Sequence, residues 1–259
     1  MIADLPLPIA LIFFAAFGAV VGSFLNVVIY RLPLGKSVVW PASGCPHCSR
    51  ELSWYENIPV LSWIALRGRC RTCGGPISIR YPLIEALTGV MFALAFWFYG
   101  PGPLLFSRLI FGSALVVLFA IDLEHQLLPN VITLPGIVIG LIASAVLPPG
   151  FIDAIIGVLV GGGVLWLIGE ASYRYSGQEG LGGGDVKMLA MIGAFLGWKL
   201  VLVTLVLSSF AGSIIGLGVV VMKRGGMKYA LPYGTFLALG ALVASLFGDS
   251  IVSWYVRFY

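Results

Sequence analysis

Eight apolar segments of helix length constrain this chain more than any other feature. Hydrophobic residues make up 59% of its 259 residues and charged residues only 10%, too little polar surface for a soluble protein. Segments this long cross a bilayer as helices, whereas the strands of membrane barrels are shorter and alternate in polarity. The sequence therefore predicts an all-α polytopic membrane protein with about eight transmembrane helices. The predicted spans are Pro8–Tyr30, Tyr81–Tyr99, Pro103–Ile121, Val131–Leu147, Phe151–Ile168, Val186–Trp198, Leu200–Met222 and Leu231–Phe247.

The first and sixth predicted spans need separate comment. The first is about 34 Å long as a helix and no basic residue precedes it, so we expect a retained anchor rather than a cleaved signal peptide. The sixth would be only about 20 Å long, shorter than the hydrocarbon core of a bilayer. We expect it to be tilted, to thin the bilayer locally or to insert only halfway.

Lysine and arginine are distributed unevenly between the two sides that these spans define. One side holds only Arg108, Lys199 and Arg257, and the other holds the remaining twelve of the fifteen basic residues. Basic residues accumulate in the cytosolic loops of membrane proteins. The sequence therefore predicts that the basic side is cytosolic and that both chain termini lie on the opposite side. The positive charge of the cytosolic side suits contact with anionic lipid headgroups.

The four cysteines of the chain all lie in its largest hydrophilic segment, between the first two spans. They form the motifs CPHC (Cys45, Cys48) and CRTC (Cys70, Cys73). Two such turns can direct four thiolates at one tetrahedral zinc ion, and a site closed in this way has no free position for a substrate. We therefore expect a structural zinc ion that holds residues 31–80 together as a small cytosolic, zinc-ribbon-like loop domain. Residues 1–30 would form the first span, and residues 81–259 the membrane core.

Other interpretations of the cysteines fit less well. Disulfide bonds are rare in the reducing cytosol, and redox activity is typical of a single C-x-x-C motif. His47 lies inside the first motif and could replace a sulfur ligand. Four sulfur atoms already complete the shell of a zinc ion, however, so we expect His47 to be exposed.

Two aspartates at the ends of spans are the most informative charged residues, because a charge in the membrane is costly unless it is paired or functional. Asp122 ends the third span and Asp185 begins the sixth. Two complete crossings separate them, so both lie on the cytosolic face and can meet. Two carboxyl groups that share a site do not both ionise readily. The ionised one can take a proton from water while the neutral one hydrogen-bonds a scissile carbonyl group.

Three glycines stand immediately before Asp185, namely Gly182, Gly183 and Gly184. Because they have no side chains, they would let a substrate backbone come close to the carboxyl group. Irregular backbone at the membrane is tolerated where it lines a cavity.

Three structural or metal-binding alternatives remain open from the residues alone. Asp185 could cap the helix that follows it, and Asp122 could form an ion pair with Lys187. Asp122 and Glu124 could also bind a divalent ion together with Asp185, as in enzymes that act on lipid phosphates.

Five motifs follow one another along the chain. GSFLNVVIYRLP occupies residues 22–33, the paired C-x-x-C loop follows, and RYPLIE occupies residues 80–85. Asp122 is followed by LLPN at residues 127–130, and GGGDVK occupies residues 182–187. Together these motifs resemble those of the bacterial type IV prepilin peptidases, membrane aspartyl proteases of the GxGD class. Many members have Pro-Asp where this chain has Pro129-Asn130, a difference that we expect to be harmless.

The resemblance implies a function and a location. Asp122 and Asp185 would be the catalytic dyad of an inner-membrane enzyme that serves a type IV pilus or type II secretion system. It would cleave the basic leader of a prepilin or pseudopilin after a glycine, on the cytosolic face. The four-cysteine loop implies a second activity, N-methylation of the new N-terminus with S-adenosylmethionine. Glu85 is a candidate contact for this methyl donor, although it could equally be structural. We expect membrane lipids, but no nucleic acid, as further partners.

Two other classes of protein fit the sequence less well. An ion-coupled transporter would place acids near the middle of its spans and would have inverted repeats, whereas both aspartates lie at span ends and no repeat is evident. A metal-dependent lipid transferase would have a cluster such as D-x-x-D with basic residues for phosphate. Asp122 with Glu124 matches that pattern only in part.

Overall fold

A computed structural model describes residues 6–176, 182–222 and 232–258 of the chain. These residues are almost entirely helical, and their only strand-like pairings are the isolated bridges Gly44–Glu51 and Arg69–Pro76. The helices are α1 (Leu7–Arg31), α2 (Leu61–Ala65), α3 (Arg80–Tyr99), α4 (Pro103–His125), α5 (Asn130–Ser144), α6 (Phe151–Ser176), α7 (Gly183–Met222) and α8 (Tyr233–Val256).

Six of the described helices are long and apolar enough to cross a membrane, and α5 is a shorter apolar helix. The prediction of an all-α polytopic membrane protein is therefore confirmed. The boundaries differ from the predicted ones where polar residues continue a helix, as in α6, which ends at Ser176 rather than Ile168. Likewise, α8 extends beyond Phe247 to Val256, whereas Leu231, the predicted start of that span, lies outside the described residues.

The sixth and seventh predicted spans form the two halves of α7, which is interrupted at Gly197. This residue has φ 77° and ψ 172°, a conformation that glycine adopts without the steric cost of a side chain. After the interruption, α7 runs antiparallel to α8, because Gly248 packs against Leu200 while Gly240 packs against Thr204.

The start of α7 fixes the direction of its first half. Gly184 at the start of α7 and Gly234 at the start of α8 both pack against Leu128, so both helices begin at the same end. The first half of α7 runs away from this end, and the second half, antiparallel to α8, runs back towards it. The chain therefore reverses at Gly197, and the two predicted spans are separate, antiparallel helices.

The chain divides into two compact units, Met1–Leu105 and Phe106–Tyr259. In the first unit, α1 packs along α3, and glycines bring the two backbones close together. A Cβ atom on Gly22 would lie 2.8 Å from Cα of Glu85, and one on Gly89 would lie 2.8 Å from the carbonyl oxygen of Ala15. Small residues at such positions favour close packing of helices in membranes. The finer division at residues 30 and 80 stays a prediction.

The second unit has its own apolar core, built from α4, α6, α7 and α8. On the outside of these helices, large apolar side chains such as Leu159 and Val206 are exposed, as expected of helices that face lipid. The core therefore holds the helix ends, and the residues on them, in fixed positions. Its fully buried side chains include Phe111, Leu115, Leu118, Met188, Leu189, Met191, Ile192 and Leu237.

Candidate active site

Asp122 lies in the last turn of α4 and only 4% of it is exposed. Its Oδ2 atom accepts two hydrogen bonds from Thr235, one of 2.7 Å from the backbone N–H and one of 3.1 Å from the hydroxyl group. Thr235 is the third residue of α8, and the first N–H groups of a helix have no partner within the helix. The N-terminus of α8 thus supplies donors to a buried carboxyl group.

Asp185 is the third residue of α7 rather than its N-cap, and it is half-buried. Its backbone N–H donates to the carbonyl oxygen of Gly182 over 3.0 Å. The carboxyl group turns back towards the same glycine, because a Cβ atom on Gly182 would lie 3.2 Å from Asp185 Oδ2. The side chain therefore stands at the N-terminus of the helix, beside the glycines.

Leu128 packs against a glycine beside each of the two aspartates. A Cβ atom on Gly184, the neighbour of Asp185, would lie 2.8 Å from Leu128 Cβ. A Cβ atom on Gly234 would lie 2.9 Å from Leu128 Cδ1 and 3.0 Å from Asp122 Oδ2. Asp122 and the glycine next to Asp185 therefore border the same leucine side chain. The structure thus joins two aspartates that are 63 positions apart in the sequence.

The glycines before Asp185 differ in their surroundings. Gly182 and Gly183 are exposed, and a Cβ atom on Gly183 would meet no other atom within 4 Å. Gly184 has no such space, because it packs against Leu128. The open side of this loop is therefore at Gly182 and Gly183.

The side chain of Lys187 hydrogen-bonds Asn130 rather than an aspartate. Its Nζ atom donates to Oδ1 of Asn130 over 2.9 Å, and no ion pair joins it to Asp122 within the described residues. Among the same residues, the only group of acids, cysteines and histidines arranged to hold a metal ion is the four cysteines. The ion-pair and divalent-ion alternatives for the aspartates therefore find no support in the geometry.

The four cysteines lie together, as the sequence predicts. The sulfur atoms of Cys45, Cys48, Cys70 and Cys73 all lie within 4.8 Å of one another, and those of Cys45 and Cys73 are 3.8 Å apart. Tetrahedral zinc with Zn–S bonds of about 2.3 Å requires sulfur atoms about 3.8 Å apart. The four residues form no disulfide bond, and their arrangement fits a zinc ion.

Local hydrogen bonds favour the thiolate form at one of the four cysteines. The backbone N–H groups of Cys73 and Thr72 lower the pKa of the Cys70 thiol to about 6, which favours the thiolate form that binds metals. His47 is exposed, and its Nε2 atom lies 3.1 Å from the carbonyl oxygen of Pro76. This histidine packs over the loop rather than joining the sulfur atoms.

An ion pair that the sequence analysis did not identify supports the first cysteine turn. Arg50 Nη2 lies 2.7 and 2.8 Å from the two carboxylate oxygens of Glu56, whose side chain is only 2% exposed. Hydrogen bonds from the Arg50 guanidinium and then from the Ser53 backbone N–H lower the pKa of Glu56 below its usual 4.5. The pair thus ties the chain after Cys48 to the 3₁₀ turn at Trp54–Asn57.

A cleft of about 200 Å³ lies between α1, α3 and the cysteine loop of the first unit. Glu85 lines it and is 8% exposed. Its Oε2 atom accepts a 2.7 Å hydrogen bond from the backbone N–H of Val60, a residue with φ 61°, which is unfavourable for a β-branched side chain. Glu85 therefore anchors the loop to α3 and also faces the cleft.

Asn26 lines the same cleft and is 2% exposed. Its Nδ2 atom donates to the carbonyl oxygen of Tyr81 over 3.0 Å, which joins α1 to α3. Its Oδ1 atom is buried and has no hydrogen-bond partner among the residues that the structure describes, an arrangement that is uncommon in folded proteins. The wall of the cleft thus contains a buried acceptor whose hydrogen-bonding capacity no described residue uses.

Comparison with known proteins agrees with the resemblance seen in the sequence. A model of the bacterial peptidase A24 N-terminal domain matches residues 16–99, and a model of the type IV leader peptidase family matches residues 109–217. No solved structure matches the chain.

Curated relatives match along nearly the whole chain. A prepilin leader peptidase/N-methyltransferase of Aeromonas hydrophila is 39% identical over 93% of this chain and 91% of its own length. Proteins of the same name from Stutzerimonas stutzeri and Legionella pneumophila are each 37% identical. Their alignments cover 93% and 94% of this chain, and 92% and 93% of the relatives. With both domains of the family in the right order, the chain belongs to the type IV leader peptidase family.

Proposed function

We propose that this chain cleaves the leader from type IV prepilins or pseudopilins and then methylates the new N-terminal amine. The observation that carries the first activity is that Asp122 and Asp185 lie on either side of Leu128, beside an exposed glycine loop. The relatives bear names of the same two activities. They give the alternative of an ion-coupled transporter no support.

The two carboxyl groups have complementary roles in hydrolysis. The ionised carboxylate removes a proton from water, and the water oxygen attacks the carbonyl carbon of the scissile peptide bond. The neutral carboxyl group hydrogen-bonds the carbonyl oxygen and donates its proton as negative charge develops there. The exposed glycines Gly182 and Gly183 leave room for the substrate backbone beside Asp185.

The distribution of basic residues supports a cytosolic site in the bacterial inner membrane. Alternation of the spans puts Asp122 and Asp185 on the side that holds twelve of the fifteen lysines and arginines, which is the cytosolic side by the positive-inside rule. The leader of a prepilin is basic and stays on that side. The substrate would thus reach the dyad from the cytosol, while its apolar helix remains in the lipid.

We place the methyl-transfer site in the cleft of the first unit. When bound there, S-adenosylmethionine would supply the electrophilic methyl group. Glu85 is a buried acid that lines the cleft, whereas the charge of Glu56 in the same lining is balanced by Arg50. A carboxylate at position 85 would favour a ligand that carries a sulfonium ion. The unpartnered Oδ1 atom of Asn26 offers an acceptor for an ammonium or amine group. The cysteine cluster, with zinc bound, would hold one wall of this cleft in shape.

The protease activity is tested with purified wild type, Asp122→Asn and Asp185→Asn, each incubated with a prepilin and S-adenosylmethionine. Product masses report cleavage and methylation in one spectrum. We expect both substitutions to abolish cleavage, and Asp249→Asn, at an exposed position near the other end of α8, to leave it unchanged. Cleavage at the wild-type rate by either dyad variant would refute the assignment.

The methyl-transfer site is tested separately with a mature pilin peptide that needs no cleavage. We expect Glu85→Gln to weaken binding of S-adenosylmethionine, measured by calorimetry, and to lower the rate of methylation. The exposed Glu51 provides the matched control Glu51→Gln. Normal binding and methylation by Glu85→Gln would give this residue the purely structural role of anchoring Val60.

A further inference from the structure

We propose that Thr235 is a positioning residue that holds Asp122 as the ionised member of the dyad, which makes Asp122 the base and Asp185 the acid. This inference deepens the proposed protease function and rests on it. Sequence reasoning alone left the two roles unassigned, because both aspartates lie at span ends on the same face of the membrane.

The hydrogen bonds of Asp122 carry the assignment. Both donors of Thr235 converge on the single atom Oδ2, over 2.7 and 3.1 Å. A carboxyl oxygen that accepts two hydrogen bonds is stabilised in its charged form. The donors also lie in the first turn of α8, where the aligned peptide dipoles of the helix place partial positive charge. Burial in a site that is 4% exposed opposes the charge, but it also leaves these stabilising interactions poorly screened by water.

Asp185 has a different environment, although it too lies at a helix start. Within the described residues, its carboxyl group receives no hydroxyl donor, and its nearby polar backbone is that of Gly182. Asp122 lies on the other side of Leu128 from it, and a negative neighbour favours the protonated form. Asp185 therefore keeps the shared proton, and its place beside the open glycines lets it reach a substrate carbonyl group.

The other charged groups around the dyad do not reverse this asymmetry. On α7, Lys187 donates to Asn130. On α4, Glu124 and His125 follow Asp122, and His125 Nε2 lies 3.9 Å from Glu124 Oε2. The first turn of α8 contains no acidic residue and no basic one. Thr235 is thus the direct partner that distinguishes Asp122 from Asp185.

The proton transfers then balance. Asp122 takes a proton from water as the water oxygen bonds to the carbonyl carbon, and Asp185 gives its proton to the carbonyl oxygen, which produces a neutral tetrahedral diol. When the C–N bond breaks, Asp122 returns its proton to the departing amine. Asp185 recovers a proton from one hydroxyl group of the diol as the carboxylic acid forms, so the dyad ends as it began.

The test is the pH dependence of prepilin cleavage by the full-length enzyme. Thr235→Val removes the hydroxyl donor but keeps the backbone N–H and the shape of the side chain, and Thr235→Ser restores the donor. We expect Thr235→Val to move the acidic limb of the pH profile of kcat/KM to higher pH by about one unit. A shift of this size corresponds to the loss of about one hydrogen bond to a charged group. At neutral pH, kcat should fall up to about tenfold with KM nearly unchanged, and Thr235→Ser should behave as wild type.

The outcomes separate this role from a structural one. If Thr235 only stabilised the fold, Thr235→Val would lower the active fraction equally at every pH and leave the acidic limb in place, which would overturn the proposal. Loss of all cleavage would be resolved by infrared titration of Asp122 in the Asp185→Asn background. There we expect Thr235→Val to raise the pH at which Asp122 becomes protonated, and an unchanged titration would contradict us.

Failure of the protease assignment itself would look different. In that case Asp122→Asn or Asp185→Asn would cleave prepilin at the wild-type rate, whatever residue occupied position 235. A shifted titration of Asp122 could still be observed in such an enzyme. The two hypotheses are therefore tested by separate variants.

Discussion

Lys187 and Asn130 are joined by a 2.9 Å hydrogen bond from Nζ to Oδ1, which ties the first turn of α7 to the first residue of α5. The bond engages the ammonium group with Asn130, and among the described residues no ion pair joins it to Asp122 or Asp185. The lysine is thus placed to support the helix ends rather than to neutralise the carboxylates.

The first prediction concerns this bond. Asn130→Asp replaces a neutral acceptor with a charged one at the N-terminus of α5, where negative charge is favourable, so we expect normal cleavage and equal or higher thermal stability. Asn130→Leu removes the acceptor and frees Lys187 to turn towards the carboxylates. We expect its kcat to fall about tenfold, since an ion pair would weaken the base. Steady-state kinetics of both variants, with melting in detergent, test this, and an inactive Asn130→Asp would contradict it.

The glycine loop provides a matched pair of substitutions. In Gly184→Ala, the new methyl group would lie 2.8 Å from Leu128 Cβ, so Leu128 and Asp185 must shift and kcat should fall by about tenfold or more. In Gly183→Ala, the methyl group enters open space beside the dyad, so we expect a higher KM for prepilin and little change in kcat. Equal effects on both parameters in the two variants would rule out this division of roles.

The cysteine cluster makes a third prediction. The wild type should contain about one zinc ion per chain, measured by elemental analysis after purification without added metal. Cys45→Ser and Cys70→Ser remove the two buried sulfur atoms, so we expect loss of zinc, faster proteolysis between residues 31 and 80, and loss of methylation. His47→Ala should keep its zinc, because the histidine ring contacts Pro76 and the bond to Cys45 Sγ comes from the backbone N–H of His47. Zinc loss in His47→Ala would show that the histidine is a ligand.

The fourth prediction concerns pH and the Arg50–Glu56 pair. Because the pKa of Glu56 in the folded chain lies below its usual 4.5, the ionised form stabilises the cysteine loop. This contribution is complete above about pH 4.5 and is lost as the pH falls through the lower, folded value. In Glu56→Gln, the amide hydrogen of Ser53 should therefore exchange with solvent faster than in the wild type at neutral pH. The difference should vanish in acid, and a difference independent of pH would exclude an electrostatic origin.

The sequence predicts the fold and the cysteine cluster because their signals are local. Apolar length alone identifies the spans, and the spacing of Cys45, Cys48, Cys70 and Cys73 specifies two turns that can meet. Counting crossings puts Asp122 and Asp185 on one face of the membrane and so allows them to meet, which requires no atomic detail. Their catalytic role stays a proposal, as does the role of Glu85.

The remaining structural features depend on contacts that no sequence pattern predicts. Thr235 hydrogen-bonds Asp122 although 113 positions separate the two residues in the sequence. Nothing in the sequence distinguishes this threonine from any other at the start of an apolar helix. The reversal at Gly197 lies among many other glycines, and only the packing of its neighbours shows which one adopts a positive φ. The Arg50–Glu56 pair likewise resembles any other pair of charges in a polar loop.

The contact between Thr235 and Asp122 also has a consequence for biosynthesis. Ribosomes make α4 long before α8, so a growing chain can insert most of its helices while Asp122 still lacks its hydrogen-bond donors. If the ionised carboxylate requires Thr235, hydrolysis begins only when the last helix has entered the membrane. Chains released early would then be inert, and an unfinished protease would not cut its neighbours in the lipid.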